Sequence, residues 1–300
     1  MPVDVNRPGP WNHRNLTARG TRFHVALAGP EAPSGSGLLT LLIHGFPECW
    51  WTWRHVIPAL AQAGHRVAAL DLRGFGGSDR PPSGYDLVTL AQDIAAVVRS
   101  LGHERAMVIG AGLGGQVAWA LPHVAPDLTR AIVPVGAPHP LALRSLRSRA
   151  LSGPALQYAS LQIPGLAERR LRSRSALEGL LRSWAGPHTR EAVAEEAPYY
   201  AELLSRPGAA RSALEPLRNL MLSRAETAAL ERPVTVPVLS VQGQLDPVQP
   251  AQAYARDTHH VTGNLRQATI RRSGHFPQEE APAELVRALM PFLADVAPAV

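Results

Sequence analysis

The sequence contains no lysine: all 30 of its basic residues are arginine, set against 24 acids for a formal net charge of +6. Beside 28 prolines and 25 glycines, the arginines read as the compositional habit of a GC-rich genome rather than a set of chosen contacts. Acids and arginines interleave over most of the chain, and no nucleic-acid-binding module is present, so no nucleic-acid partner is expected. Cysteine is nearly absent as well. The single Cys49 excludes an internal disulfide and fits a reducing compartment. No apolar run approaches the ~20 residues of a membrane span, and the N-terminus lacks a charged-then-apolar secretory pattern. The expectation is a soluble cytoplasmic protein.

What is present is alternation. An apolar fraction of 45% over 300 residues suffices for one large α/β domain with an inserted part. Residues 1 to about 20, with Pro2, Pro8, Gly9 and Pro10, predict an irregular lead-in packed down by Trp11 and His13, and Thr21 to Leu27 alternates as a strand does. Apolar runs at Leu38 to Ile43, Ala106 to Ile109 and Ala131 to Val135 predict strands buried on both faces of a parallel sheet, and Arg66 to Leu70 reads as a further strand among them. Helical spacing covers Trp53 to Ala63, Leu87 to Leu101 and the residues after Gly115. The alternation stops near Pro138 and resumes near Val234. Pro237 to Val241 and Gln267 to Ile270 predict the last two strands, and Ala283 to Leu293 the closing helix. The architecture expected is a doubly wound, mostly parallel sheet with right-handed crossovers. Its core is residues 1–137 and 234–300, with a helical cap inserted over 138–233.

The most informative stretch is Val108 to Gly115, where an apolar run ends in a burst of glycines and a helical pattern follows at once. Strand, very tight turn and helix in succession, with small residues on both sides of Gly112, is what a nucleophile elbow requires, because strand and helix crowd together there. The central residue of such an elbow normally carries the attacking side chain. Here it is glycine. Gly110, Gly112 and Gly115 also satisfy a dinucleotide-binding spacing, but that turn normally lies early in the chain with an acid about 20 residues on. Here two strand–helix units precede it, so no cofactor is expected, and nothing in the sequence points to a metal. In doubly wound sheets the ligand crevice lies at the carboxyl ends of the strands. The loops there hold His44-Gly45-Phe46-Pro47, the glycine elbow, Gly243-Gln244-Leu245-Asp246 and Ser273-Gly274-His275-Phe276. Asp246 and His275 thus follow the elbow in the order nucleophile, acid, histidine. Asp246 as a mere helix cap, and His44 as a hydrogen bonder holding its loop, stay open beside the catalytic and pocket readings. Nothing near Cys49 activates it as a nucleophile.

The stretch from His44 to Arg54 (HGFPECWWTWR), followed by Asp71-Leu72-Arg73-Gly74-Phe75-Gly76, resembles the epoxide hydrolase branch of the α/β-hydrolase fold. The resemblance runs from about Thr21 to Leu293. It implies that the amides of Phe46 and Leu113 form the oxyanion hole, and that the Phe46–Pro47 bond is cis. In that family an Asp carboxylate attacks the epoxide, two cap tyrosines hold the leaving oxygen, and a His–Asp pair activates water to cleave the ester. Asp246 and His275 fall at that pair. Gly112 falls at the nucleophile and Ala111 at the histidine that commonly precedes it. The tyrosine positions resemble Ser160, with Tyr158 nearby, and Leu217. His44 and Trp51 join them as the expected pocket wall.

Three catalytic groups are missing together, which points to a pseudoenzyme keeping a pocket for a small apolar molecule. The alternative is an active ester or epoxide hydrolase in which His275–Asp246 activates water directly. A haloalkane dehalogenase is the weaker alternative, because Leu113 stands where a halide-holding Trp often follows the nucleophile. The cap carries Arg144, Arg147, Arg149, Arg169, Arg170, Arg172, Arg174, Arg182 and Arg190 against Glu168 and Glu178. That face is either a solvated helical surface or a contact for anionic membrane or an acidic protein.

Overall fold

The apolar runs become the inner strands of one sheet. In a computed structural model that describes residues 4–31, 38–143, 159–218 and 222–297, eight strands form in chain order. They are β1 (Asn12–Ala18), β2 (Thr21–Ala28), β3 (Leu39–Ile43), β4 (Arg66–Leu70), β5 (Ala106–Ala111), β6 (Thr129–Val135), β7 (Val238–Gly243) and β8 (Leu265–Ile270). They lie in the order β1-β2-β4-β3-β5-β6-β7-β8. The first two pairings are antiparallel, and the rest are parallel. Every residue of β3 and β5 is buried, as strands covered by helices on both faces must be. Strand β1 corrects the expectation of an irregular lead-in. Only Leu16 and Ala18 of its seven residues are buried, so an edge strand left no hydrophobic period to read. Trp11 and His13 do pack it down: the Trp11 ring stands edge-on to Trp50 and Trp51, and His13 Nδ1 lies 3.0 Å from His24 Nε2.

Helices cover the sheet. The helix expected over Trp53 to Ala63 is split into a 3-10 turn at Trp50–Trp53 and α1 (Ile57–Gln62), because Pro58, lacking an N–H, fits the first turn of a helix and not its interior. The amphipathic α2 (Leu87–Ser100) is capped by Asp86, which accepts from the Thr89 amide. After the elbow comes α3 (Leu113–Val124). Between β6 and β7 the described residues form α4 (Leu166–Arg172), α5 (Arg174–Trp184), α6 (Arg190–Ala194), α7 (Ala197–Leu204), α8 (Ala209–Arg218) and α9 (Arg224–Glu231). Leu177, Leu181, Trp184 and Leu214 give this insertion its own buried core. Several of its arginines pair with its own acids: Arg174 and Arg182 with Glu178, Arg182 also with Glu191, and Arg218 with Glu168. Arg144, Arg147 and Arg149 lie outside the described residues. After β7 come α10 (Ala251–Ala255), α11 (Pro277–Glu280) and the closing α12 (Pro282–Val296). Among the described residues, no helix is long and apolar enough to cross a membrane.

Candidate active site

Strand β5 turns into α3 through a single residue. Gly112 has φ +48° and ψ −112°, a conformation glycine adopts readily and L-residues resist. Its amide donates to Val135 O at 2.9 Å and its carbonyl accepts from Gln116 N at 3.1 Å, so the turn is fastened at both ends. The small neighbours are required by contact. A Cβ on Gly110 would stand 2.2 Å from Gly114 O, and one on Gly115 would stand 2.4 Å from the Ala137 Cβ. Gly112 differs. Among the described residues, a Cβ there would meet only His275 Nε2 at 3.5 Å and the Gly45 Cα at 3.6 Å, which are ordinary contact distances.

The structure therefore brings His275 to the elbow, and Asp246 to His275. His275 Nδ1 lies 3.0 Å from Asp246 Oδ2. A carboxylate oxygen accepts, so the Nδ1–H donates to Asp246, which leaves Nε2 on the Gly112 side, 3.5 Å from where a Cβ on that residue would stand. Asp246 also accepts from the amides of Val248 and Gln249 through Oδ1, at 2.8 and 3.0 Å. It caps a turn and orients the imidazole at once, one oxygen for each task. His275 is 6% exposed and its ring stands edge-on to Trp184 at 5.5 Å, while the His275 amide donates to Trp184 O at 2.9 Å.

Across from the imidazole is the loop after β3. The Phe46–Pro47 bond is cis, as the resemblance implies. Gly45 sits so close to the elbow that a Cβ on it would be 3.1 Å from Ala111 O and 3.3 Å from Glu48 Oε2. His44 is fully buried, its Nδ1–H donates to Gly45 O at 2.7 Å, and its Nε2 accepts from the Leu72 amide at 3.1 Å. Burial holds its imidazole below the ordinary value, so it is a neutral fastener of the loop. Neither the Phe46 nor the Leu113 amide donates to another described residue.

Glu48 is the residue that sequence reasoning missed. Its side chain is buried between Thr52, whose Oγ1 donates to Oε1 at 2.6 Å, and Gln278, whose Nε2 lies 3.3 Å from both oxygens. Burial, reinforced by the neighbouring Glu279 carboxyl, pushes it up to about 8, so at neutral pH it is a protonated acid beside the elbow. Burial also pushes the Cys49 thiol well up, leaving no thiolate there.

The remaining expected pocket residues are placed as follows. Trp51 is spent on fastening the insertion: its Nε1–H donates to Glu196 Oε2 at 3.0 Å, and its ring packs against Trp11, Trp50, Tyr199 and the Arg7 guanidinium. Ser160 accepts from Arg170 at 2.8 Å and borders a 290 Å³ groove within the insertion, with Leu161, Leu171, Leu177 and Leu180. Leu217 is buried, and its carbonyl accepts from Gln162 at 3.3 Å. Tyr158 lies outside the described residues.

A family model described as the alpha/beta hydrolase fold matches residues 41–282. Epoxide hydrolase A of Mycobacterium tuberculosis is 31% identical over 323 residues, a match covering 95% of this chain and 98% of that protein. Epoxide hydrolase B of the same organism is 44% identical over 128 residues, which is 42% of this chain and only 35% of that protein. The crystal structure of epoxide hydrolase A from Mycobacterium thermoresistibile superposes with a TM-score of 0.78 at 28% identity, covering 95% of this chain and 98% of that one.

Proposed function

We propose that this chain, which belongs to the α/β-hydrolase fold family and has epoxide hydrolases among its homologues, is a pseudoenzyme with respect to the covalent-ester route. It would bind a small apolar molecule between the sheet and the inserted helices. One observation carries the reading: His275 Nε2 is aimed at a residue that has no atom with which to attack. In the ester mechanism the carboxylate displaces the epoxide oxygen, and the histidine then directs water at the resulting ester. At Gly112 the first bond cannot form, so the second step has no substrate. Ser160 and Leu217, where phenols would support the leaving oxygen, lower the capacity for epoxide opening further. The amides of Phe46 and Leu113 remain available as oxyanion donors, which keeps the site able to hold a polar atom of a ligand.

A second reading is favoured by the His275–Asp246 pair itself. With Nδ1 bonded to Asp246 and Nε2 unprotonated, the imidazole is a competent general base for water attacking an activated ester directly. The two readings separate in one experiment. The purified protein is incubated with styrene oxide and with a p-nitrophenyl ester, product formation is followed, and intact mass is recorded for an ester adduct. The pseudoenzyme reading expects no adduct and no turnover above a buffer blank. Turnover that disappears in His275→Ala establishes the water route instead. An adduct of either substrate's mass on the wild-type chain overturns the claim that the ester route is closed.

A further inference from the structure

After β6 the chain leaves the sheet for the insertion through Ala137, Pro138 and His139, ahead of a 3-10 turn at Pro140–Leu143. Three side chains pin this joint to the core. Trp119 and Gln116 of α3 donate to the carbonyls of Ala137 and Pro138, each at 2.9 Å, and Asp257 Oδ1 accepts from the His139 amide at 2.8 Å. Asp257 is itself held by Ser240 of β7, whose hydroxyl donates to Oδ2 at 2.7 Å. The His139 ring is fully buried. It stacks on His260 with 3.9 Å between ring centroids and 12° between planes, and it stands edge-on to Trp119 at 5.0 Å. Its Nδ1 accepts from the Leu141 amide at 3.3 Å, so the neutral ring carries its hydrogen on Nε2. That nitrogen is buried without a partner among the described residues, and so is His123 Nε2 in α3.

We propose that the stacked His139–His260 pair is an acid-operated hinge, closing the joint between sheet and insertion while both rings are neutral and opening it when they take up protons. The closed joint does not accommodate a charge. A proton added at Nδ1 of His139 meets the Leu141 N–H, and Nε2 offers its own hydrogen to no described acceptor, so a buried charge would stand there without a bond. The groups around the stack do not compensate. His123 faces His139 from α3, with Arg232 after α9 facing His123 in turn, and His259 adjoins His260. Asp257 has each oxygen engaged, by the His139 amide and by Ser240, and Tyr254 of α10 lies against it. Burial, with the His260 and His123 imidazoles beside it, pushes His139 down to about 2, and burial lowers His260 and His123 as well. An open joint returns these rings to water, where imidazole titrates near 6.5. Below that pH the open form binds more protons than the closed one, so acidity favours it. Asp257 acts in the other direction: burial pushes it up to about 6, and the closed form holds its proton more tightly. The hinge does not depend on what Gly112 has or has not lost, because it governs how the insertion is attached in either case.

The test is NMR amide exchange of the intact protein at pH 7.5 and pH 5, each rate divided by the intrinsic rate at that pH. The amide of residue 139 reports the joint, and those of Val108 and Ile109 in β5 report general unfolding. Between the two pH values His139 favours opening about thirtyfold and Asp257 opposes it about tenfold. Protection at residue 139 is therefore expected to fall about threefold or more, His260 and His123 adding to the fall. Asp257→Asn keeps an acceptor for the residue 139 amide but does not titrate, and it is expected to steepen the fall to about thirtyfold or more. His139→Phe keeps a ring against His260 and Trp119 that takes no proton, and there the fall is expected to be lost. If His139→Phe does not fold, the steepening in Asp257→Asn decides alone. Protection at residue 139 that is unchanged or higher at pH 5, a fall shared to the same extent by Val108 and Ile109, no steepening in Asp257→Asn, or an undiminished fall in His139→Phe each overturns the hinge.

Discussion

Replacing Gly112 by alanine isolates the backbone term of the elbow. Among the described residues the methyl group meets nothing closer than His275 Nε2 at 3.5 Å and the Gly45 Cα at 3.6 Å, so no overlap with them has to be relieved. What remains is the conformation, φ +48° and ψ −112°, which a residue with a Cβ adopts at a cost of about 1–3 kcal/mol. The loss of unfolding free energy should therefore lie in that range, and Tm should fall by about 2–4 °C for each kcal/mol. Gly179 supplies the control. It sits within the exposed face of α5, at ordinary helical φ, with nothing within 4 Å of a Cβ placed on it. There an alanine should stabilise by about 0.5–1 kcal/mol, because only the helix propensity changes. Urea denaturation followed by tryptophan fluorescence measures both variants against the parent. An alanine at 112 that is neutral or stabilising would refute the strained elbow. A loss far above about 3 kcal/mol would refute the open space beside it, since only a clash adds that much.

Two further outcomes follow from buried acids. Glu48, raised from 4.5 to about 8 by burial, keeps its proton in the folded state over a pH window where the unfolded chain has released it. Stability must therefore fall as pH rises through that window and level off above about pH 8, by at most about 5 kcal/mol at 1.36 kcal/mol per pH unit. Glu48→Gln removes that slope, so urea denaturation at pH 5, 7 and 9 should show the variant gaining on the parent as pH rises; parallel profiles would refute the buried acid. Glu280 Oε2 accepts from the Gly186 amide at 2.7 Å, the Gly274 amide at 2.9 Å and the Thr189 hydroxyl at 2.5 Å, joining the His275 loop to the insertion. Glu280→Ala should cost about 2–4 kcal/mol, from buried donors left unsatisfied, and should speed amide exchange at Gly186 and Gly274; unchanged exchange there would show that the clasp does not hold the loop.

The parts of this molecule that were legible in advance are those governed by contact between neighbours in sequence. Runs that are mostly apolar identified β3 to β6, because a strand covered on both faces has few polar positions to offer. The crowding of strand against helix was readable from Gly110, Gly114 and Gly115 before any distance was known, and the distances justify each glycine. What was hidden lies between residues far apart. Glu48 meets Gln278 across 230 positions, and nothing in the string from Glu48 to Trp53 says that its acid is buried and protonated while its second indole leaves the interior for Glu196. His44 is the opposite case: the reading of it as a hydrogen bonder holding its loop is met, with Nδ1 on Gly45 O and Nε2 on the Leu72 amide.

The persistence of the His275–Asp246 pair is not by itself an argument for turnover, because the architecture fixes it independently of catalysis. Asp246 is held by two backbone amides before it touches the imidazole. His275 is held by Trp184 O, and the next amide, that of Phe276, donates to Glu280 Oε1 at 3.0 Å. Removing either partner would leave a buried polar group without its bond, which costs about 1–3 kcal/mol whatever the protein does. The pair therefore remains under the same structural constraint in an active enzyme and an inactive one. The discriminating position is Gly112, where structure imposes the opposite demand: the elbow is most stable with no side chain, and attack requires one. On the proposed reading, a chain that has glycine there satisfies the fold's preference and forgoes the attacking atom, and any remaining chemistry comes from water that enters the space, which the ester assay tests.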